Sequence, residues 1–301
     1  MNNLTLRQLR YFEALVKHGH FGRAAEACAI SQPALSVQIK ELEQNLGNPL
    51  FDRGPRQVRL TAFGQDWALR VRDILRAVDE LGEMARAAQS GMLGRLRIGV
   101  IPTIAPYLLP PLIGQLAQRY PALSLDVRET VTPKLLEELG DGQIDTAIVA
   151  LPVNEPAFQE VALFDETLML VRPRAQAGQP VPSADELREL RLLMLEEGHC
   201  FRDQALSFCN LRGARPRGGL EGSSLSTLVQ MVGAGIGVTL IPDMAVPVEI
   251  RSAPVCVDRF AAPEPMRTVG MIWRKTSPLS RQLDEIAQIV GDVGRDLPAR
   301  G

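Results

Sequence analysis

Two of the four cysteines, Cys200 and Cys209, lie nine residues apart in the stretch LEEGHCFRDQALSFC. A cysteine reacts as its thiolate, and Cys200 has His199 beside it and Arg202 two residues further on, which favours that form. Gly198 is a helix breaker, and the apolar run after it predicts a helix that begins near Cys200. A thiolate at that position would be stabilised by the positive end of the helix dipole.

A helix would keep the two sulfur atoms apart. Nine residues of α-helix span roughly 13 Å along the axis, whereas a disulfide needs Cα atoms within about 7 Å. If peroxide oxidised Cys200 to a sulfenic acid, condensation with Cys209 would require the helix to unwind. We therefore interpret Cys200 as the peroxidatic cysteine and Cys209, among apolar neighbours, as the resolving one. A sulfenic acid or a mixed disulfide as the end state stays open, as do two ordinary buried cysteines.

Length and composition bound the class of protein. The chain has 301 residues, of which 46% are hydrophobic and 23% charged, as in folded proteins of two or three domains. No apolar run reaches 18 residues, the N-terminus is amphipathic, and the cysteines are too few for a disulfide scaffold, so we expect a cytoplasmic protein. Residues 1–61 carry eight Lys/Arg against five Asp/Glu, a charge of +3 that leaves −5 for the rest of a chain with net charge −2. The basic end is the candidate for binding nucleic acid.

The first sixty residues have the pattern of three short helices. Apolar spacing predicts helices over 6–18 and 21–27, and a third that Ser31 caps, with Pro33 in its first turn and Gly47 at its end. The outer face of the third helix is polar but poor in acid, which suits a DNA major groove. Two strand-like runs with projecting arginines follow, as in a wing that contacts phosphate or the minor groove. The alternative is a generic three-helix bundle with a solvated face.

The residues that we predict to contact DNA lie on that face and in the wing. They are Gln32, Pro33, Ser36, Val37, Gln38, Lys40, Arg53, Arg56 and Arg59.

A long helix is predicted over 62–90, because apolar residues recur there at near-heptad spacing. These residues are Phe63, Trp67, Val71, Ile74, Val78, Leu81, Ala85 and Ala88. A single stripe of this kind indicates a coiled coil with a second copy of the chain. The alternative is a helix that packs on its own chain.

The remaining residues, 91–301, alternate short apolar runs with helical patterns, which predicts an α/β sensing domain with largely parallel sheets. We expect two subdomains, one over about 91–163 and 268–301, the other over about 164–267. The cleft of such a fold lies beyond the carboxyl ends of the strands, where Thr103 and Thr132 are found. The alternative for each threonine is a helix N-cap.

Two stretches resemble a known family. The run FGRAAEACAISQPALSVQIKELEQNLGNPLFDR resembles the winged helix-turn-helix of LysR-type transcriptional regulators. GHCFRDQALSFC, with the later SSLSTLVQMVGAGIGVTLIP, resembles the hydrogen-peroxide sensors of that family, so the likeness covers nearly the whole chain. It implies a sensing domain with the type 2 periplasmic-binding-protein fold. It also implies that Thr103 and Thr132 hold peroxide near Cys200. The residues implied to support the thiolate or the proton transfers are His199, Arg202, Asp203 and Arg267.

The same resemblance implies partners. These are double-stranded promoter DNA, RNA polymerase, hydrogen peroxide, a reductant such as glutaredoxin or thioredoxin, and further copies of the chain. Two copies are implied to form a dimer through the long helix, and dimers to form a tetramer that repacks on oxidation. We expect no membrane association, no cofactor and no enzymatic activity. A zinc site of His199, Cys200, Cys209 and Cys256 matches no common ligand spacing. Two alternatives to a peroxide-sensing regulator stay open. One is a thiol peroxidase, and the other is a LysR-type regulator that binds a small organic effector.

Overall fold

The computed structural model describes residues 4–53, 58–90, 94–183, 186–208 and 221–297. The chain divides into two compact units, 1–85 and 86–301. The domain boundaries expected near residues 62 and 91 and between the two subdomains remain predictions.

Three helices and a pair of strands form most of the first unit. They are α1 (Leu6–His18), α2 (Phe21–Ala27), α3 (Gln32–Leu46) and the antiparallel strands β1 (Phe51–Arg53) and β2 (Val58–Leu60). Ser31 caps α3 by accepting a hydrogen bond from the Ala34 N–H, and Gly47 ends the helix in the left-handed region at φ +68°. The three predicted helices are confirmed.

The predicted long helix is confirmed as α4, Ala62–Ser90. Its apolar side chains do not form one stripe, however. Val71 and Leu75 are buried in the core of the first unit, which also contains residues of α1 and α3. The expectation that Val71 faces a partner is therefore wrong, because its own chain covers it.

Other apolar positions of α4 remain exposed on the chain. Phe63 and Ile74 are 39% and 42% exposed, and Leu81 is 65% exposed. Ala85 and Ala88 of the predicted stripe lie outside the described side chains. Ile74 and Leu81 are exposed seven residues apart, the spacing of a coiled-coil seam, so an interface over this part of the stripe stays a prediction.

The second unit is an α/β structure around one curved sheet. Its first half holds β3 (Arg95–Val100), α5 (Ala105–Arg119), β4 (Ser124–Glu129), α6 (Thr132–Gly140), β5 (Thr146–Leu151) and β6 (Phe158–Pro173). Its second half holds β7 (Met194–Leu195), α7 (Cys200–Phe208), β8 (Glu221–Gly222), α8 (Leu225–Gly233), β9 (Thr239–Pro242), α9 (Val246–Glu249), β10 (Val255–Asp258), β11 (Met266–Arg274) and α10 (Ser280–Asp296).

Strand pairing corrects one expectation. The sheet has the order β10-β6-β11-β5-β3-β4, with β9 also paired to β6. Within the described part of this sheet only β3 runs parallel to its neighbours, β4 and β5, while β11, β6, β9 and β10 pair antiparallel. The strands β7 and β8 form a separate parallel pair. The prediction of largely parallel sheets is therefore wrong, because the apolar pattern of a strand does not reveal its direction. The pattern also missed β10 and the first half of β6.

Candidate functional site

The reactive-cysteine candidate stands at a helix start. α7 begins at Cys200, as predicted, and Gly198 adopts φ +95° just before it. Residues with a Cβ atom rarely adopt that backbone conformation, so the turn that presents His199 and Cys200 depends on Gly198. Cys200 is a free, half-buried thiol. Cys209 lies outside the described residues.

A narrow recess brings several predicted residues together. It is lined by Ile101, Pro102, Thr103, Val131, Thr132, His199, Cys200 and Phe201. Thr103 follows β3 and Thr132 follows β4, two parallel neighbours whose carboxyl ends meet at this edge. The side chains fill the recess so closely that no water-sized molecule fits in this conformation.

Thr132 contributes an unsatisfied hydroxyl to the recess. Its Oγ1 is buried and has no hydrogen-bond partner among the residues that the structure describes. It is not a helix cap: Val131 is the N-cap of α6, and no side chain caps that helix. A buried hydroxyl without a partner costs about 1–3 kcal/mol, so this group is suited to a ligand.

Thr103 is held by a buried arginine. Arg267 Nη1 donates to Thr103 Oγ1 at 2.8 Å, and Nη2 donates to the Thr103 carbonyl at 3.1 Å. Arg267 is 3% exposed, and its guanidinium carbon lies 5.5 Å from the centroid of the Phe201 ring. Because the Thr103 oxygen accepts from Arg267, its own O–H can be donated elsewhere. Thr103 also caps no helix, since α5 begins after Ile104 with no side-chain cap.

Arg202, unlike His199 and the two threonines, lies outside the recess lining. Its Nη1 donates to Glu221 Oε1 at 2.6 Å and to the Leu195 carbonyl at 2.9 Å. The guanidinium therefore ties α7 to β7 and β8. The side chain of Asp203 lies outside the described ones.

His199 lies in the recess as a neutral ring. Burial lowers its pKa from the usual 6.5, and the nearby Glu196 carboxylate only partly opposes that effect. At neutral pH it offers hydrogen-bonding nitrogens and no positive charge. Among the described residues, no cluster of three or more His, Cys, Asp or Glu could hold a metal ion.

Sequence reasoning missed Glu166, which binds Arg267. Its Oε2 accepts from Arg267 Nε at 2.8 Å, and its Oε1 accepts from the Met244 N–H at 2.8 Å. The one available signal was an acid at the start of the apolar run ETLMLV.

The predicted DNA-binding face is open on α3. Gln32, Pro33, Val37 and Lys40 are exposed, and Ser36 and Gln38 are half-buried. Gln38 Nε2 donates to Glu41 Oε2 at 2.8 Å. Arg59 on β2 is exposed, whereas the Arg53 side chain and Arg56 lie outside the described set. None of the described helices is long and apolar enough to cross a membrane.

Comparisons with known proteins agree with this architecture. A family model described as a bacterial regulatory helix-turn-helix protein of the lysR family matches residues 6–65, and a LysR substrate binding domain matches 89–295. The chain is 43% identical to the DNA-binding transcriptional dual regulator OxyR of Escherichia coli, over 95% of each chain. It is 42% identical to a probable hydrogen peroxide-inducible genes activator of Streptomyces viridosporus, over 98% of this chain and 96% of that one.

Solved structures are similar as well. A full-length OxyR variant from Pseudomonas aeruginosa is 36% identical, with a TM-score of 0.75 over 99% of this chain and 96% of that chain. A hydrogen peroxide-bound OxyR mutant from Corynebacterium glutamicum is 33% identical, with a TM-score of 0.67 over 97% and 93%. The chain belongs to the LysR family of bacterial transcriptional regulators. The predicted fold class, a winged helix-turn-helix, a long helix and a two-subdomain α/β sensing domain, is confirmed.

Proposed function

We propose that this chain is a transcriptional regulator that senses hydrogen peroxide by oxidation of Cys200 and closure of a disulfide with Cys209. The observation that carries the proposal is the recess, where a helix-start thiol meets Thr103, Thr132 and His199. Two relatives support it, because one is named a hydrogen peroxide-inducible genes activator and another was solved with hydrogen peroxide bound.

The chemistry balances with the groups at hand. The Cys200 thiolate attacks one peroxide oxygen, the O–O bond breaks, and the sulfur becomes a sulfenic acid while hydroxide leaves. Hydroxide is a poor leaving group unless it is protonated as it departs. The Thr103 O–H is suited to stabilise the departing hydroxide by donating a hydrogen bond, since the Thr103 oxygen already accepts from Arg267, and a proton from solvent then converts the hydroxide to water. Peroxide entry requires the lining side chains to part.

The second step couples oxidation to shape. The Cys209 thiol attacks the sulfenic acid, a disulfide forms, and water leaves. The helix α7 runs from Cys200 to Phe208, and nine helical residues span roughly 13 Å, whereas a disulfide needs Cα atoms within about 7 Å, so closure of the disulfide requires α7 to unwind. Unwinding releases Arg202 from Glu221 and the Phe208 ring from Phe260, whose centroids lie 5.0 Å apart. A dithiol reductant such as glutaredoxin or thioredoxin would reverse the reaction.

The remaining parts of the proposal concern DNA and assembly. The polar face of α3 and the wing arginines bind promoter DNA, and the exposed residues of α4 pair two chains. A tetramer repacks on oxidation and changes contacts with RNA polymerase at oxidative-stress genes. Interfaces with two discrete packings can convert a local unwinding into such a switch.

Mass spectrometry after one equivalent of peroxide tests the proposal. In the wild type we expect a Cys200 to Cys209 disulfide, in Cys209→Ser a sulfenic acid at Cys200, and in Cys200→Ser no oxidation. Cys28 and Cys256 serve as internal controls, because burial raises the pKa of both thiols. Thiols that all stay free would overturn the proposal.

Two further results would favour the alternatives. A peroxide response of DNA binding that persists in Cys200→Ser would favour a small organic effector. Many turnovers of peroxide per chain with thioredoxin would favour a thiol peroxidase.

A further inference from the structure

A buried ion pair lies behind the recess. Glu166 on β6 and Arg267 on β11 are 6% and 3% exposed, and Arg267 Nη2 lies 2.7 Å from Glu166 Oε2. The Arg267 Nε donates to the same carboxylate oxygen at 2.8 Å. The other carboxylate oxygen accepts from the Met244 N–H at 2.8 Å. Both carboxylate oxygens are therefore occupied as acceptors.

The guanidinium is planar, so its contacts on one edge set the direction of the other edge. Glu166 holds the edge that carries Nε. The opposite nitrogen, Nη1, then points to Thr103 Oγ1 at 2.8 Å. A guanidinium in this buried place would be unfavourable without the compensating carboxylate.

From these contacts we propose that Glu166 is a positioning residue for the reduction of peroxide at Cys200. Glu166 itself does not line the recess. It holds Arg267 so that the Thr103 oxygen accepts from the guanidinium and its O–H is left for the departing hydroxide. This inference rests on the proposed function and adds a residue that acts through two others.

The chemistry of the site requires a carboxylate. An amide at position 166 would carry an NH2 group, which would face either an Arg267 N–H or the Met244 N–H, and two donors cannot bond each other. Glu166→Gln therefore keeps the side-chain size but disturbs the direction of Arg267. Glu166→Asp keeps an acceptor-only group and retains part of the arrangement.

Two reagents for the same thiol separate positioning from stability. Iodoacetamide alkylates a thiolate with loss of iodide, which leaves without a proton, so that reaction does not need the Thr103 donor. For Glu166→Gln we expect peroxide oxidation of Cys200 to slow about tenfold or more, as on loss of an oxyanion donor. We expect the alkylation rate of Cys200 to stay within about twofold of the wild type, and Glu166→Asp to lie between the two in its peroxide rate.

Asp258→Asn is the matched control. Asp258 also pairs with a buried arginine, Arg172, at 2.7 Å, but it does not contact the recess. Its peroxide and alkylation rates should both equal the wild-type rates.

The outcomes are distinguishable. Equal peroxide rates for Glu166→Gln and the wild type would overturn the role of Glu166. Peroxide and alkylation rates that change together would also overturn it, because the effect would then be general loosening of the fold. Failure of the wild type to react with peroxide would overturn the proposed function itself.

Discussion

The guanidinium of Arg202 donates to Glu221 Oε1 at 2.6 Å. Arg202 lies only two residues after Cys200, in the first turn of α7. This contact binds α7 to β8 and opposes the unwinding that disulfide closure needs. Glu221→Ala should therefore speed the step from sulfenic acid to disulfide. A partly exposed ion pair is worth about 1 kcal/mol or less, so we expect an increase of at most about fivefold.

Quenched-flow mass spectrometry would follow that step. Asp126→Ala removes an exposed ion pair between β4 and the start of β3, made with Arg95, and serves as the control because neither residue belongs to α7 or lines the recess. A disulfide that forms no faster in Glu221→Ala than in this control would contradict the role of the contact.

Thr132→Val should separate function from stability. Because the Thr132 hydroxyl is buried with no described partner, its replacement by a methyl group should not lower the free energy of unfolding and should raise it by up to about 1–3 kcal/mol. Loss of one ligand hydrogen bond should slow Cys200 oxidation about five- to tenfold. Thr239→Val is the matched control, since that buried hydroxyl donates to the Leu193 carbonyl at 2.8 Å. Thr239→Val should lose stability and oxidise Cys200 at the wild-type rate. A wild-type rate of Cys200 oxidation in Thr132→Val would remove Thr132 from the site.

His199 should give the fold a measurable pH dependence. Its folded-state pKa lies below the unfolded value of 6.5, because burial disfavours the charged ring. The unfolded chain therefore binds the proton first as the pH falls below 6.5, and the stability contributed by His199, full above that pH, is lost on acidification. In thermal unfolding between pH 5 and 8, the wild type should lose more stability towards acid than His199→Gln. Parallel curves for the two proteins would disprove the shift.

Neighbouring residues of α4 should behave oppositely. Leu75 is 4% exposed in the core of the first unit, so Leu75→Ala should destabilise the chain by about 2–5 kcal/mol. Ile74 is 42% exposed, and Ile74→Ser should raise the dissociation constant of the dimer about tenfold or more by removing apolar area from the interface. Sedimentation measures the second effect, with Leu69→Ser, exposed but outside the predicted stripe, as the control. An unchanged dimer in Ile74→Ser would rule out this interface.

Lys40 should contribute to DNA binding through charge. If it neutralises one phosphate, Lys40→Gln should reduce the slope of log K against log salt concentration by about 1 without a change in sequence preference. Titrations of promoter DNA at several salt concentrations measure the slope. Lys134→Gln, an exposed lysine of the second unit that pairs with Glu137, should leave it unchanged. Identical slopes for Lys40→Gln and the wild type would exclude a phosphate contact.

The ends of individual helices were predictable because short stretches of sequence determine them. Ser31 and Gly47 mark the ends of α3, and Gly198 with the apolar run after it marks the start of α7 at Cys200. Caps, breakers and helical spacing act over a few residues, so the sequence by itself determined these elements.

Only the tertiary structure decided which distant groups meet. Arg267 and Thr103 are 164 residues apart in the chain, yet they share a hydrogen bond, and Glu166 reaches Arg267 across 101 residues. The tertiary structure also decided what Val71 packs against, because an apolar side chain at that position suits a partner helix as well as the core of its own chain. Such contacts depend on strand order and direction, which a periodic pattern does not encode, because an apolar strand is equally suited to parallel and antiparallel pairing.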